Sequence, residues 1–115
     1  MDLKTVKLIL QPIVENAFEH GIKPLKDKRG KITVSAQLVN GKCIFNISDN
    51  GCGINEQKLN EIRENLSNGI MQSSDNIGLC NVHNRIRLIY GKDYGIKISS
   101  DSRGTTVSLG IPAEL

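Results

Sequence analysis

The stretch Ile47-Ser48-Asp49-Asn50-Gly51-Cys52-Gly53-Ile54 restricts this chain more than any other. An apolar strand pattern runs straight into a carboxylate, an amide and two glycines, and a helix pattern follows. Taken alone, Asp-Asn-Gly most often marks a turn. Here the aspartate stands at a strand end, fixed on a rigid element. The glycines let the backbone bend where a Cβ would clash, or let a ligand approach the main chain. A turn alone needs no carboxylate at that place. The pattern therefore points to Asp49 as a residue that reads a ligand, with the glycines making room.

The rest of the chain builds a scaffold for that turn. Val6, Ile9, Leu10, Ile13, Val14, Ala17 and Phe18 recur at three- and four-residue spacing, as on an amphipathic helix over residues 5–21. Pro12 is expected to kink this helix or to delay its regular part to about Gln11, and Gly21 is a candidate C-cap. Asn16 and His20 fall on one ridge at the edge of the apolar stripe, with Glu15 and Glu19 towards the polar side. After a polar loop over 22–30, residues 31–39 alternate, with Ile32, Val34, Ala36 and Leu38 on one face of a half-buried strand. Asn40-Gly41 is a hairpin signal, and Cys43, Phe45 and Ile47 share a face of the return strand. Asn55 is placed to cap a second helix with the stripe Leu59, Ile62 and Leu66, which Gly69 can end. Residues 67–77 lack any period and read as a mobile loop. Gly78 opens a third helix with the stripe Leu79, Val82, Ile86 and Ile89, while His83, Arg85 and Arg87 project elsewhere and Gly91 ends it. Residues 95–100 and 105–111 form a second strand pair around the turn Asp101-Ser102-Arg103-Gly104. Three helices and four strands, mostly in antiparallel hairpins, predict an α/β (α+β) two-layer sandwich: a mixed, mostly antiparallel sheet with helices over one face.

Composition sets the outer limits. With 115 residues, 38% hydrophobic and 23% charged, the chain suits one soluble globular domain over residues 1–115. A dispersed net charge of +3, with two Phe and two Tyr, argues against nucleic acid as a partner. Cys43, Cys52 and Cys80 have neither metal spacing nor an even count, which suggests a reducing compartment. No apolar run approaches the roughly 20 residues of a membrane span, so a cytoplasmic segment without direct membrane contact is expected. The abrupt helical start suggests a domain excised from a longer protein.

Three polar features stand on this scaffold: the helical amide of Asn16, the turn from Asp49 to Gly53, and the loop-glycine-helix junction from Asn76 to Asn81. Each suits part of a nucleotide. Asp49 can accept a hydrogen bond from an exocyclic amine, the amides of Gly78 and Leu79 at a helix start suit phosphate, and the Asn16 oxygen suits Mg²⁺ shared with phosphates. In this order they resemble the ATP-binding domain of the GHKL superfamily, the Bergerat fold shared by histidine kinases, Hsp90, gyrase B and MutL. Leu10-Gln11-Pro12-Ile13-Val14-Glu15-Asn16-Ala17-Phe18-Glu19-His20-Gly21 resembles the N box, in the form found in sensor histidine kinases of the LytS and YesM type. Asp49-Asn50-Gly51-Cys52-Gly53-Ile54 resembles the first glycine box, Ile77 to Ile86 the second, and Gly104-Thr105-Thr106 with the strand to Pro112 the last.

The resemblance implies roles. Asn16 would hold Mg²⁺ on the triphosphate, and Glu15 would be the acidic residue beside it. Asp49 would bind the adenine amine, partly through a water shared with Thr106. Gly51, Gly53 and Ile54 would shape the adenine pocket, with His20 and Thr105 among the nucleotide-binding positions. Residues 67–77 would be the ATP lid, and Gly78, Leu79 and Asn81 would meet the phosphates. Related ATPases place a water-activating carboxylate one helical turn before the magnesium asparagine; Pro12 stands there and cannot act as a base. The implied reaction is transfer of the ATP γ-phosphoryl group to a histidine on a dimerisation domain outside this chain, then on to a response regulator. The parent would be a homodimeric kinase in the bacterial cell membrane. The segment alone is expected to be monomeric and silent in transfer. Two other readings stay open: a degenerate nucleotide-binding or protein-interaction module, and an anti-sigma-type serine kinase.

Overall fold

The computed structural model describes residues 3–22, 30–68 and 77–113. Helix α1 spans Leu3–Ala17 and runs on into a π-helical turn, Phe18–Ile22. Strands β1 (Ile32–Val39) and β2 (Lys42–Asp49) follow, then helices α2 (Glu56–Asn68) and α3 (Ile77–Tyr90), then strands β3 (Gly95–Asp101) and β4 (Gly104–Pro112). The strands form one sheet in the order β1-β2-β4-β3. Every pair is antiparallel, so the expected mixed component is absent among the described residues. The helices lie on one face. The loop expected over 22–30 and the mobile loop over 67–77 fall largely outside the described residues, as does Gly69.

Local chemistry sets most boundaries. Asn40 and Gly41 adopt φ of 50° and 79°, the left-handed pair that a two-residue hairpin of matching twist requires. Asn55 caps α2, its Oδ1 accepting from Lys58 N–H at 2.8 Å. Gly91, at φ 109°, donates to the Arg87 carbonyl at 2.9 Å and stops α3. The β3–β4 turn is held by Arg103 N–H donating to Asp101 Oδ1 at 2.7 Å.

The core lies between the helices and the inward sheet face. Phe45 and Ile47 on β2 stand opposite Leu109 and Val107 on β4, which stand opposite Ile96 and Ile98 on β3. Ile13, Leu79 and Ile86 cover them from the helices, and all are buried. Each such side chain contributes about 1.5–3 kcal/mol by leaving water.

Four details differ from the sequence pattern. Helix α1 is regular from Leu3 and holds Pro12 in its interior, so its start is not delayed to Gln11; buried Ile9 and Ile13 on either side anchor it to the core. Gly21 is not a cap: it is buried inside the π-turn, and its φ is not left-handed. The inward ladder of α3 is Val82, Ile86 and Tyr90 with Leu79 and His83, so Ile89 is 60% exposed and His83 is buried. At 100° per residue, Tyr90 and not Ile89 follows Ile86 on that ladder. On β1 the alternation is real, since Val34 pairs with Ile47, but the helices stop short of this strand and leave Val34 47% and Leu38 69% exposed.

His83 links α3 to the edge of β3. Its Nδ1 accepts from the Ile96 N–H at 2.9 Å, which leaves the ring hydrogen of the neutral form on Nε2. Nε2 is buried without a hydrogen bond of good geometry among the described residues. Burial and the Arg87 charge push the His83 pKa below its usual value, and the Leu66 carbonyl pulls weakly the other way. The unfolded chain therefore takes up a proton first. Stability from neutral His83 is complete above the unfolded pKa of about 6.5 and is lost as pH falls from there through the lower folded pKa. Denaturant titrations between pH 8 and 5 should show that loss in the wild type. His83→Gln should cost about 1–3 kcal/mol at pH 7 and flatten the slope.

Candidate functional site

The candidate site forms where β2 ends against the π-turn of α1. Asp49 lies on the inward face, two residues after Ile47, with Thr105 opposite it on β4. Its Oδ1 accepts from Gly51 N–H at 2.8 Å, which fixes the carboxylate and leaves Oδ2 without a hydrogen-bond partner among the described residues. Gly21 lies against this carboxylate: a Cβ there would come within 2.8–2.9 Å of its atoms. Gly51 lies against the Gly21 carbonyl, 2.2 Å from where its own Cβ would be. Cys52 N–H then donates to that carbonyl at 3.2 Å. Gly53, at φ 76°, faces the Asp101 carbonyl, and Gly104 passes over the Asp49 carbonyl, each too close for any Cβ.

Ser100 joins these parts. Its Oγ takes the Ile54 N–H at 2.8 Å, approaches Thr105 Oγ1 at 2.8 Å, and lies 3.0 Å from the Gly104 carbonyl. Asp49, Thr105 and Thr106 border a shallow hollow of about 290 Å³ with the β3–β4 turn.

The sequence-predicted residues fall into three groups. Asp49, Gly51, Gly53, Ile54 and Thr105 are brought together. Asn16 is half-buried on α1, with Glu15 exposed beside it and held by Gln11 Nε2 at 3.1 Å. Pro12 on α1 touches the start of α3 at Gly78. Leu79 is fully buried, so its backbone N–H is what it can offer, while Asn81 and the His20 side chain are exposed. Thr106 borders the hollow, but its hydroxyl does not face the Asp49 carboxylate. Its Oγ1 lies 3.0 Å from Ser48 Oγ on the bare face of the sheet, because strand alternation turns it away from Asp49. Thr105 holds the place expected of it. Sequence reasoning missed Ser100 and the contact role of Gly21. The signal for Ser100 was the alternation Ile96, Ile98, Ser100, which puts a hydroxyl on the inward face at the strand end.

Metal fit is limited. Among the described residues no cluster of three or more His, Cys, Asp or Glu could hold an ion. The Asn16 oxygen is a single hard donor, so Mg²⁺ there requires phosphate oxygens as further ligands. The described cysteines form no disulfide, and no described helix is long and apolar enough to cross a membrane.

The family model described as histidine kinase-, DNA gyrase B- and HSP90-like ATPase matches residues 1–115. The chain belongs to this ATPase family. It is 36% identical over 105 residues to the sensor histidine kinase YpdA of Escherichia coli, covering 91% of this chain and 17% of YpdA. It is 31% identical to the sensor protein kinase HptS of Staphylococcus aureus, covering 92% of this chain and 20% of HptS. The chain thus spans about a fifth of the length of these relatives. The fold matches the catalytic domain of the histidine kinase ThkA with TM-score 0.68 at 19% identity, over 96% of this chain and 67% of that one. ThkA in complex with the response regulator TrrA matches with TM-score 0.68 at 20% identity, over 98% and 30% of the two chains. Membership of this ATPase family implies a capacity to bind ATP.

The glycines separate into two kinds. Gly51 is required by the fold, whereas among the described residues a Cβ on Gly78 would meet only Pro12, at ordinary contact of 3.8–3.9 Å. Gly51→Ala should destabilise the domain by more than about 2 kcal/mol, since a backbone must move. Gly78→Ala should leave it as stable or raise stability by up to about 1 kcal/mol through helix propensity. Thermal denaturation of both variants distinguishes these outcomes.

Proposed function

We propose that residues 1–115 are the ATP-binding catalytic domain of a sensor histidine kinase, transferring the γ-phosphoryl group to a histidine on a dimerisation domain outside this chain. The observation that carries this reading is the Asp49 carboxylate. One oxygen is fixed by Gly51 N–H, and the other has no partner among the described residues, in a space bounded by glycines, Thr105 and Ser100. That geometry suits the exocyclic amine of adenine, with Thr105 sharing a bridging water. Gly51, Gly53 and Ile54 would border the base, with His20 at the margin.

At the other end, the N–H groups of Gly78 and Leu79 lie in the first turn of α3, where free amides and the helix dipole favour phosphate. Among the described residues none requires glycine at 78, and its lack of a side chain would let a ligand approach the backbone there. Asn81 would border the phosphates. Asn16 would hold Mg²⁺ jointly with phosphate oxygens, and bound Mg²⁺ would supply charge neutralisation. Glu15 would stand beside the acceptor. Pro12, one turn before Asn16, offers no base for water, which favours transfer to a protein over hydrolysis. A response regulator, as in the ThkA–TrrA complex, would receive the phosphoryl group. The parent would be a homodimer in the bacterial cell membrane with this domain in the cytoplasm.

Calorimetric titration tests the reading. ATP should bind more tightly with Mg²⁺ than without, and Asn16→Ala should erase that difference. Asp49→Asn should weaken binding at least about tenfold, or 1.4 kcal/mol. The chain alone should take no label from γ-labelled ATP, because its acceptor is elsewhere. Failure of the folded wild type to bind millimolar ATP would overturn the proposal.

A further inference from the structure

A hydroxyl has one hydrogen to give and two lone pairs to offer, and at Ser100 three groups compete for them. The Ile54 N–H, at 2.8 Å, can only donate. The Gly104 carbonyl, at 3.0 Å, can only accept. The Thr105 hydroxyl, at 2.8 Å, can do either. The first two contacts decide the third. Ser100 spends its hydrogen on Gly104 and one lone pair on Ile54, so a lone pair is what remains for Thr105, and Thr105 donates. All three bonds then form. Turning the Ser100 hydrogen to Thr105 instead would take it from the Gly104 carbonyl and lose one of them.

The consequence falls on Thr105, which is 9% exposed and stands directly across from Asp49 on the inward face. A threonine hydroxyl ordinarily rotates to suit whatever it meets. Here its hydrogen is committed, and only lone pairs are left for a ligand or a water. The second oxygen of the Asp49 carboxylate offers lone pairs as well. We infer that Ser100 is a positioning residue that sets base specificity: by holding the Thr105 hydrogen, it turns this wall of the site into acceptors alone, which admits an amino-substituted base and refuses a keto-substituted one. The inference rests on the reading of this site as the adenine pocket. An exocyclic amine brings hydrogens to such a wall, directly or through a water. A keto oxygen brings lone pairs. A Thr105 hydroxyl free to rotate would donate to that oxygen and offset its mismatch with Asp49, and Ser100 removes that option. Discrimination then comes from leaving the wrong base unpaired.

Titration of ATP and inosine triphosphate into the wild type, Ser100→Ala and Thr105→Val tests the inference. Inosine triphosphate carries a keto oxygen where ATP carries its amine. In Ser100→Ala the Thr105 hydroxyl is free to turn, so the preference for ATP over inosine triphosphate should shrink at least about threefold, in line with one net hydrogen bond. A purely structural role for Ser100 would weaken both nucleotides alike and leave that ratio unmoved. Thr105→Val keeps the shape and loses the hydroxyl, and it decides the matter even where Ser100→Ala does not fold. Because it removes an acceptor, ATP should bind more weakly, and inosine triphosphate no more weakly than to the wild type. An undiminished ratio in Ser100→Ala would overturn the inference, as would weaker inosine triphosphate binding by Thr105→Val, which would mean that the hydroxyl donates. A wild type that binds no ATP, or binds both nucleotides equally, would overturn the adenine-pocket reading and this inference with it.

Discussion

The Gly21 carbonyl occupies the space that a side chain on Gly51 would need, 2.2 Å from its Cβ position. That exclusion ties the end of the first helix to the loop after the second strand, and the rest of the site follows from it. The π-turn brings Gly21 against the Asp49 carboxylate, and Gly104 brings β4 over the Asp49 carbonyl. A Cβ at any of these positions would separate elements whose contact holds Asp49 in place. The carboxylate is thus positioned by backbone, which has far less freedom than side chains do.

The polar contacts reinforce this arrangement. Gly51 N–H fixes one carboxylate oxygen, and Ser100 satisfies Ile54 N–H while meeting Thr105. The N–H groups of Gly51, Cys52 and Ile54 thus have partners, which avoids the cost of about 1–3 kcal/mol for each unsatisfied group. The opposite end of the site is built differently. Among the described residues, a Cβ on Gly78 would meet Pro12 at ordinary contact, and its neighbours present backbone amides at a helix start. On the proposed reading, the end that would meet the base is fixed by steric contact, and the amides that would meet the phosphates lie in the first turn of α3.

Much of this was legible in the sequence. Asn40-Gly41 gave the first hairpin because left-handed φ at two successive positions is rare outside such turns, and Asn55 gave the start of α2 through its cap. The stripe Leu59, Ile62 and Leu66 is buried as its spacing implies. The misreadings share a cause: a residue's local preference was overruled by a contact from elsewhere in the chain. Pro12 sits in a continuous helix because the core holds both sides of it. Gly21 is needed for contact with Asp49 and Gly51, 28 and 30 positions away, and not for ending a helix. His83, expected to project away from the stripe of α3, is turned inward by the N–H that β3 supplies to its ring. Thr106 and Thr105 could be told apart only by strand phase, which is set by pairing with β2. The exposure of β1 depends on how far the helix layer extends, which no periodicity within the strand records.

The central claim is that Asp49 reads an exocyclic amine, and base discrimination tests it most directly. Titration of the wild-type domain with ATP and with inosine triphosphate compares two ligands that differ at the base position where adenine carries its amine. If Asp49 accepts a hydrogen bond from that amine, ATP binds and inosine triphosphate binds at least about tenfold more weakly, since a half-buried carboxylate is left facing a carbonyl. Equal affinity for the two would show that the carboxylate does not read the base, and the site described at the end of β2 would not be the nucleotide pocket.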